Sequence, residues 1–221
     1  MNSADKVRCL EAKLGQVLKR IILGTIPLLI TTFSHAQEVK LKDGASFCRD
    51  FKGAECISDG SRFNGKLNGV SFITIESGGA WVQSEPGMRS DAGEYNEGWN
   101  ISCQKDAISG TISCYIRKWW GDPTISFASP KATPKVSIFS EHEEYPGTKT
   151  SIRVGKQIFH TEADYYFPNS PLIASLMKDG VEVVTQYRSW PHKTTETKVT
   201  PEIYGLQVAI QIAKWNLKNL R

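Results

Sequence analysis

The chain has 221 residues, 40% of them hydrophobic, with 27 basic and 23 acidic residues and a formal charge of +4. That length suits one domain, or one domain with a small appendage. Five of the basic and two of the acidic residues precede residue 37, so the remainder is close to neutral, which argues against long-range attraction to nucleic acid or anionic membrane.

In chain order, the first feature is a leader. Lys13, Lys19 and Arg20 form a positive patch, residues 21–33 are uncharged and mainly apolar, and Ser34-His35-Ala36 supplies small residues. This order is that of a secretory signal peptide cut near Ala36, and it predicts a periplasmic or secreted protein. Residues 21–33 are too few to span a bilayer, which takes roughly 20, and Pro27 weakens them as a membrane helix. Retention as an inner-membrane anchor through residues 21–33 is the alternative, because twenty residues ahead of the apolar run make a long first region. A buried core helix is a lesser reading. The true start could also lie further in.

Removal of the leader discards Cys9 and leaves Cys48, Cys56, Cys103 and Cys114. An even number in an exported chain predicts two disulfides. Of the three pairings, the local one is preferred: Cys48 with Cys56, and Cys103 with Cys114. A zinc site would want closer cysteine spacing or clustered histidines, and His142, His160 and His192 are scattered. Neither a metal nor another cofactor is expected.

Residues 37–97 are punctuated by Gly44, Gly53, Gly60, Gly65 and Gly69. They contain one clear strand candidate, residues 70–75, and then a loop with a short strand at Trp81-Val82. This segment is expected to be an appendage held by its local disulfide, so Cys48 should matter less to stability than Cys103 or Cys114.

From Trp99 the pattern alternates, as expected of the main β domain over residues 98–221. Trp99, Ile101 and Cys103 share one strand face, and Ile112, Cys114 and Ile116 share another. A hairpin centred between Ile108 and Ser109 sets Cys103 opposite Cys114 and Ile101 opposite Ile116, within disulfide reach. Further strands are predicted at residues 124–128, 135–139, 151–154, 157–161, 181–190 and 195–199. A short helix follows Ser170-Pro171, with Ser170 as its cap and Gly180 as its terminator. A second opens at Thr200-Pro201-Glu202 and runs towards Leu220. The expected fold is mainly β: an antiparallel β-sandwich with a short helix and a C-terminal helix packed against it.

That last helix carries two apolar stripes. Ile203, Leu206, Ile210, Ala213 and Leu217 form one; Tyr204, Val208, Ile212 and Trp215 form the other, on roughly the opposite side. Either the helix is buried on two sides, or the second stripe is a candidate surface for a partner or the membrane.

Catalytic motifs are missing: there is no hydrolase elbow, P-loop, dinucleotide loop or zinc-protease helix. Glu141-His142-Glu143-Glu144 reads as a solvated turn beside Pro146-Gly147. Asp164, next to Tyr165 and Tyr166, has no second carboxylate near it in sequence for glycosidase chemistry. Pairing of all four cysteines would leave none for thiol catalysis. Trp119 and Trp120 point to opposite strand faces, so one alone is a weak ligand platform.

Trp99-x-x-x-Cys103 followed by Cys114, Leu176-x-x-Gly180-Val-Glu-Val183, and Ile203-Tyr-Gly205-Leu206-x-x-Ala209 together resemble the invasion-associated locus B protein family. The resemblance covers roughly residues 98–215. It implies export, mainly β structure and a role in host interaction, and it carries no catalytic residues. The family often has another cysteine pair in its later portion, which this chain lacks, and residues 37–97 have no counterpart. The expected function is thus a non-catalytic binding or interaction protein of the bacterial cell envelope, whose partner is an envelope or host protein. A small envelope enzyme and a carbohydrate-binding module using exposed tryptophans are the alternatives.

Overall fold

Apolar residues alternate along most strands, and the chain answers by building two antiparallel sheets. The computed structural model describes residues 39–51, 54–59, 62–86, 98–118, 122–138, 148–162, 166–188 and 194–221. The leader, Trp119, Trp120, the Glu141 to Glu144 run, Asp164, Tyr165 and His192 lie outside them.

The larger sheet has eight strands: β1 (Glu55–Asp59), β2 (Arg62–Leu67), β3 (Val70–Ile75), β4 (Ala80–Val82), β5 (Trp99–Lys105), β6 (Ile112–Arg117), β7 (Pro123–Phe127) and β8 (Lys135–Ile138). Spatial order follows chain order, and each strand is antiparallel to the next. The smaller sheet comprises β9 (Lys149–Val154), β10 (Gln157–Glu162), β11 (Val183–Tyr187) and β12 (Glu196–Thr200), ordered β10-β9-β11-β12. Three helices complete the described fold: α1 (Phe47–Asp50), α2 (Ser170–Leu176) and α3 (Leu206–Asn219). Both sheets and α3 feed one apolar core, with Trp99, Ile116, Ile125, Ile152, Ile173 and Ile212 almost wholly buried. The mainly β, sandwich-like class expected from the strand pattern is the class observed.

The boundary expected after residue 97 is not a structural one. β4 pairs with β5, Val82 opposite Trp99, so the glycine-rich region supplies half of the large sheet, and His35–Arg221 form one compact unit. Beyond the expected strand at residues 70–75, it holds β1 and β2. Asn68 and Gly69 both have positive φ (54° and 81°) between paired Leu67 and Val70, the two-residue turn whose twist matches a hairpin. The same region is tied to the far end of the chain. Leu41 bridges Leu220, Lys42 N donates to Asn219 O (2.8 Å), and Arg221 forks onto Asp43 at 3.0 and 3.1 Å.

Both helix starts differ from expectation. Thr200 ends β12 rather than capping a helix, and α3 begins only after Gly205, whose φ is +74°. A Cβ at that position would also collide with Gln83 O. The amide of Gly205 donates to Asp179 Oδ1 (3.0 Å), and the Trp99 indole donates to Tyr204 O (2.8 Å). This corner locks α3 to β5. At α2, Ser170 is the first helical residue rather than the cap. Its hydroxyl accepts from Val136 N (2.8 Å) and donates to Phe167 O, pinning the helix to the edge of β8.

Candidate binding surface

Disulfides fix the setting. Cys103 pairs with Cys114 in the ladder, Ile101 with Ile116, and the cysteine Cα atoms are 4.1 Å apart. Cys114 is fully buried, and Asn216 Nδ2 of α3 lies 3.8 Å from Cys103 Sγ. Cys48 and Cys56, with Cα atoms 5.3 Å apart, tie α1 to β1. The local pairing expected from sequence is the one present. Two such bonds fit an oxidising, extracytoplasmic compartment. Among the described residues no helix is long and apolar enough to cross a membrane.

The second stripe of the C-terminal helix is not an open surface. Val208, Ile212 and Trp215 are buried, and Tyr204 is half-buried and lies before the helix. One side of α3 packs on β4, β5 and β6. Around Trp215, the cover is α1. The Phe47 ring sits 5.1 Å from that of Trp215 and 4.9 Å from that of Phe72, and Trp215 Nε1 donates to Asp50 Oδ2 (3.1 Å). Phe47-x-x-x-Phe51, with rings stacked at 4.2 Å, was the one sequence hint of this cover.

A further apolar group lies on the other face of the large sheet. Phe72, Val82 and Trp99 form one row facing the core, so strand alternation turns Ile73, Ile75 and Trp81 to the opposite face. Ile73 and Trp81 are buried yet take no part in the main core, and Ile75 is 39% exposed. With Arg62 and Asn100 they line a groove of about 400 Å³. Glycines shape it: a Cβ at Gly98 would strike the Trp81 ring, and one at Gly79 would press on Ile75 at 3.0 Å. Trp81, Trp99 and Trp215 are all buried, so none of the described tryptophans is a stacking platform for a sugar.

A second cleft, of about 440 Å³, is charged. Glu85, Lys118, Asp122, Lys198, Thr200 and Glu202 line it. Buried Asp122 accepts from Lys198 Nζ (2.8 Å) and Thr200 Oγ1 (3.0 Å), joining the start of β7 to β12. Lys118 Nζ lies 3.5 Å from Glu85 Oε1. On neighbouring β11, the Tyr187 hydroxyl donates to Glu196 Oε2 (2.9 Å). Burial, then this bond and the charge of Glu196, push its pKa up to about 12. It is therefore a neutral donor at physiological pH. These groups answer one another, an arrangement suited to holding β7 and β12 together. No trio of His, Cys, Asp or Glu side chains fit to hold a metal occurs among the described residues.

In comparisons with known proteins, the chain matches no family model, no curated protein and no solved structure.

Proposed function

We propose that this chain is an exported, non-catalytic binding protein of the bacterial cell envelope, similar to the invasion-associated locus B proteins, and that it meets an envelope or host protein through the groove around Trp81. The observation that carries this reading is the groove beside exposed Ile75, floored by the buried side chains of Ile73 and Trp81 on the sheet face opposite the core, with Arg62 at its margin. A concave, mainly apolar site with few polar groups is the usual form of a binding site. The two disulfides support export, and cleavage near Ala36 is the route proposed for it, with anchoring through residues 21–33 as the alternative.

Two measurements test the reading. Fractionation followed by N-terminal mass analysis should find a chain beginning near Gln37 outside the cytoplasm; an uncut cytoplasmic chain refutes export. Crosslinking in intact envelopes should capture the same partner with wild type and with Ile158→Lys, and lose it with Ile75→Lys. Equal capture by all three refutes the groove.

One observation favours an enzyme instead. Ser151 Oγ and His160 Nδ1 stand 2.8 Å apart across β9 and β10, a nucleophile-to-base distance. The pair is solvent-exposed on a strand face. Labelling of Ser151 by a fluorophosphonate probe is the outcome that would promote this reading.

A further inference from the structure

We propose that Asn68 is a site of spontaneous covalent modification: its side chain closes onto the Gly69 amide, ammonia leaves, and the isoaspartate that follows unfastens the β2–β3 hairpin from the corner at Gly205.

Asparagine followed by glycine is the pair most open to this chemistry, because glycine has no Cβ to hinder approach of its nitrogen to the neighbouring side-chain carbon. The chain has two such pairs, Asn64-Gly65 and Asn68-Gly69, and the fold treats them oppositely. Gly65 lies within β2, paired with Cys56 of β1 on one side and Phe72 of β3 on the other, and a Cβ there would collide with Glu55 O. Its peptide cannot turn without opening the ladder. Asn68 and Gly69 are both exposed. Asn68 alone, among the described residues that carry a side chain, has a positive φ, 54°. Neither residue makes a hydrogen bond to any described residue, and a Cβ on Gly69 would meet nothing within 4 Å. The Gly69 N–H is thus committed to no acceptor, and solvent base can take its proton.

The step balances without any oxidant or metal. Gly69 N attacks Asn68 Cγ, the N–Cγ bond forms, the Cγ–Nδ2 bond breaks, and Nδ2 leaves as ammonia with the proton that the amide gave up. Solvent water then reopens the five-membered imide. Cleavage between N and Cγ gives aspartate; cleavage between N and the original carbonyl carbon gives isoaspartate, whose main chain runs through Cβ and Cγ.

The consequence follows from the tightness of the turn. Two residues close this hairpin between paired Leu67 and Val70, and their twist is what matches the strands. Isoaspartate adds a methylene to that main chain and puts a carboxylate where an amide stood. The strain falls on core side chains, Leu67 and Val70. Val70 Cγ1 lies 3.0 Å from where a Cβ at Gly205 would stand. The next residue, Ser71, is bonded twice to Gln83: its N donates to Oε1 (3.0 Å) and its O accepts from N (2.9 Å). A displaced turn therefore loosens the corner that holds α3.

Peptide mass mapping of the full folded chain during incubation in mildly alkaline buffer, with isoaspartyl methyltransferase labelling, tests the site. Conversion at Asn68 should run at least about tenfold faster than at Asn64, which reacts only in molecules whose β2 has opened. In urea, where both pairs are free, the two rates should converge. Asn68→Gly keeps a residue suited to the turn and should yield no acidic species from this position, with conversion at Asn64 unchanged. The purified isoaspartyl protein should melt about 2–4 °C below both wild type and Asn68→Asp, a shift readily read in a chain of this size. Equal rates at the two pairs in the folded chain, no conversion at Asn68, or an isoaspartyl form that melts with Asn68→Asp would each overturn the assignment.

Discussion

Replacing Cys114 with serine should cost more than replacing Cys103, although both remove the same bond. The shared part is loop entropy. The closed loops differ little in sequence separation, 11 for Cys103–Cys114 and 8 for Cys48–Cys56, so either bond is worth about 3 kcal/mol by chain-entropy reasoning. The rest depends on where the new hydroxyl lands. At Cys114, which is fully buried between Ile101, Ile116 and Phe127, a serine hydroxyl without a partner adds about 1–3 kcal/mol. At Cys103, half-buried beside Asn216, an amide stands ready to bond it. The expected losses are therefore about 3 kcal/mol for Cys103→Ser and about 4–6 kcal/mol for Cys114→Ser, with Cys48→Ser at about 3 kcal/mol or less. Urea unfolding at constant m-value reads these differences directly. Equal midpoints for Cys103→Ser and Cys114→Ser would refute the burial argument, and a costlier Cys48→Ser would show that α1 is integral to the core.

Gly205→Ala should lose about 2 kcal/mol or more by thermal unfolding, because alanine strains at φ +74° and its Cβ meets Gln83 O; an unchanged midpoint would mean that the corner relaxes freely. Tyr187 should titrate near pH 12 by phenolate absorbance, against about 10 in the unfolded chain. Its raised pKa makes its contribution to stability complete below pH 10 and lost as pH climbs towards 12, a drop on the order of 2 kcal/mol that Tyr187→Phe should remove. Asp106 sits in the hairpin turn, where the amide and hydroxyl of Ser109 and the amide of Ile108 hold its carboxyl below the ordinary value. Its contribution is present above the unfolded pKa of about 4 and fades as pH falls through the lower folded value, so the Ser109 amide resonance should move only in strongly acid solution. A shift centred at or above pH 4 would contradict the turn bonds.

Some of this architecture was legible in the residues. Alternation from Trp99 and from Ile112 put both cysteines on the inward face, and only one register satisfied the apolar pattern and the disulfide together. β1 and β2 were not legible, because glycine density in residues 44–69 outweighed Asn68-Gly69, the strongest hairpin signal there. The start of α3 was misplaced because Thr200-Pro201-Glu202 carries the chemistry of a helix cap while serving as a strand end, and the glycine that opens the helix lies at 205. Two apolar stripes could be seen on α3, but the cover of the second at Trp215 is Phe47, far away in sequence, and a four-residue helix has no period to detect. The Asp122–Lys198 contact, between residues 76 positions apart, left no local trace either. The groove around Trp81 arose from ordinary strand alternation that reads the same whether a face is covered or bare.

The bridge between Leu41 and Leu220 has a bearing on the order of assembly. Asp43 finds Arg221 across a separation of 178 residues. A chain emerging amino-end first, from a ribosome or an export channel, must hold residues 39–43 unpaired until nearly everything else has followed. Such distant closure is a slow step. Until it occurs, the strip beside α3 stays open to solvent, which gives any chaperone a defined interval and a defined place to act.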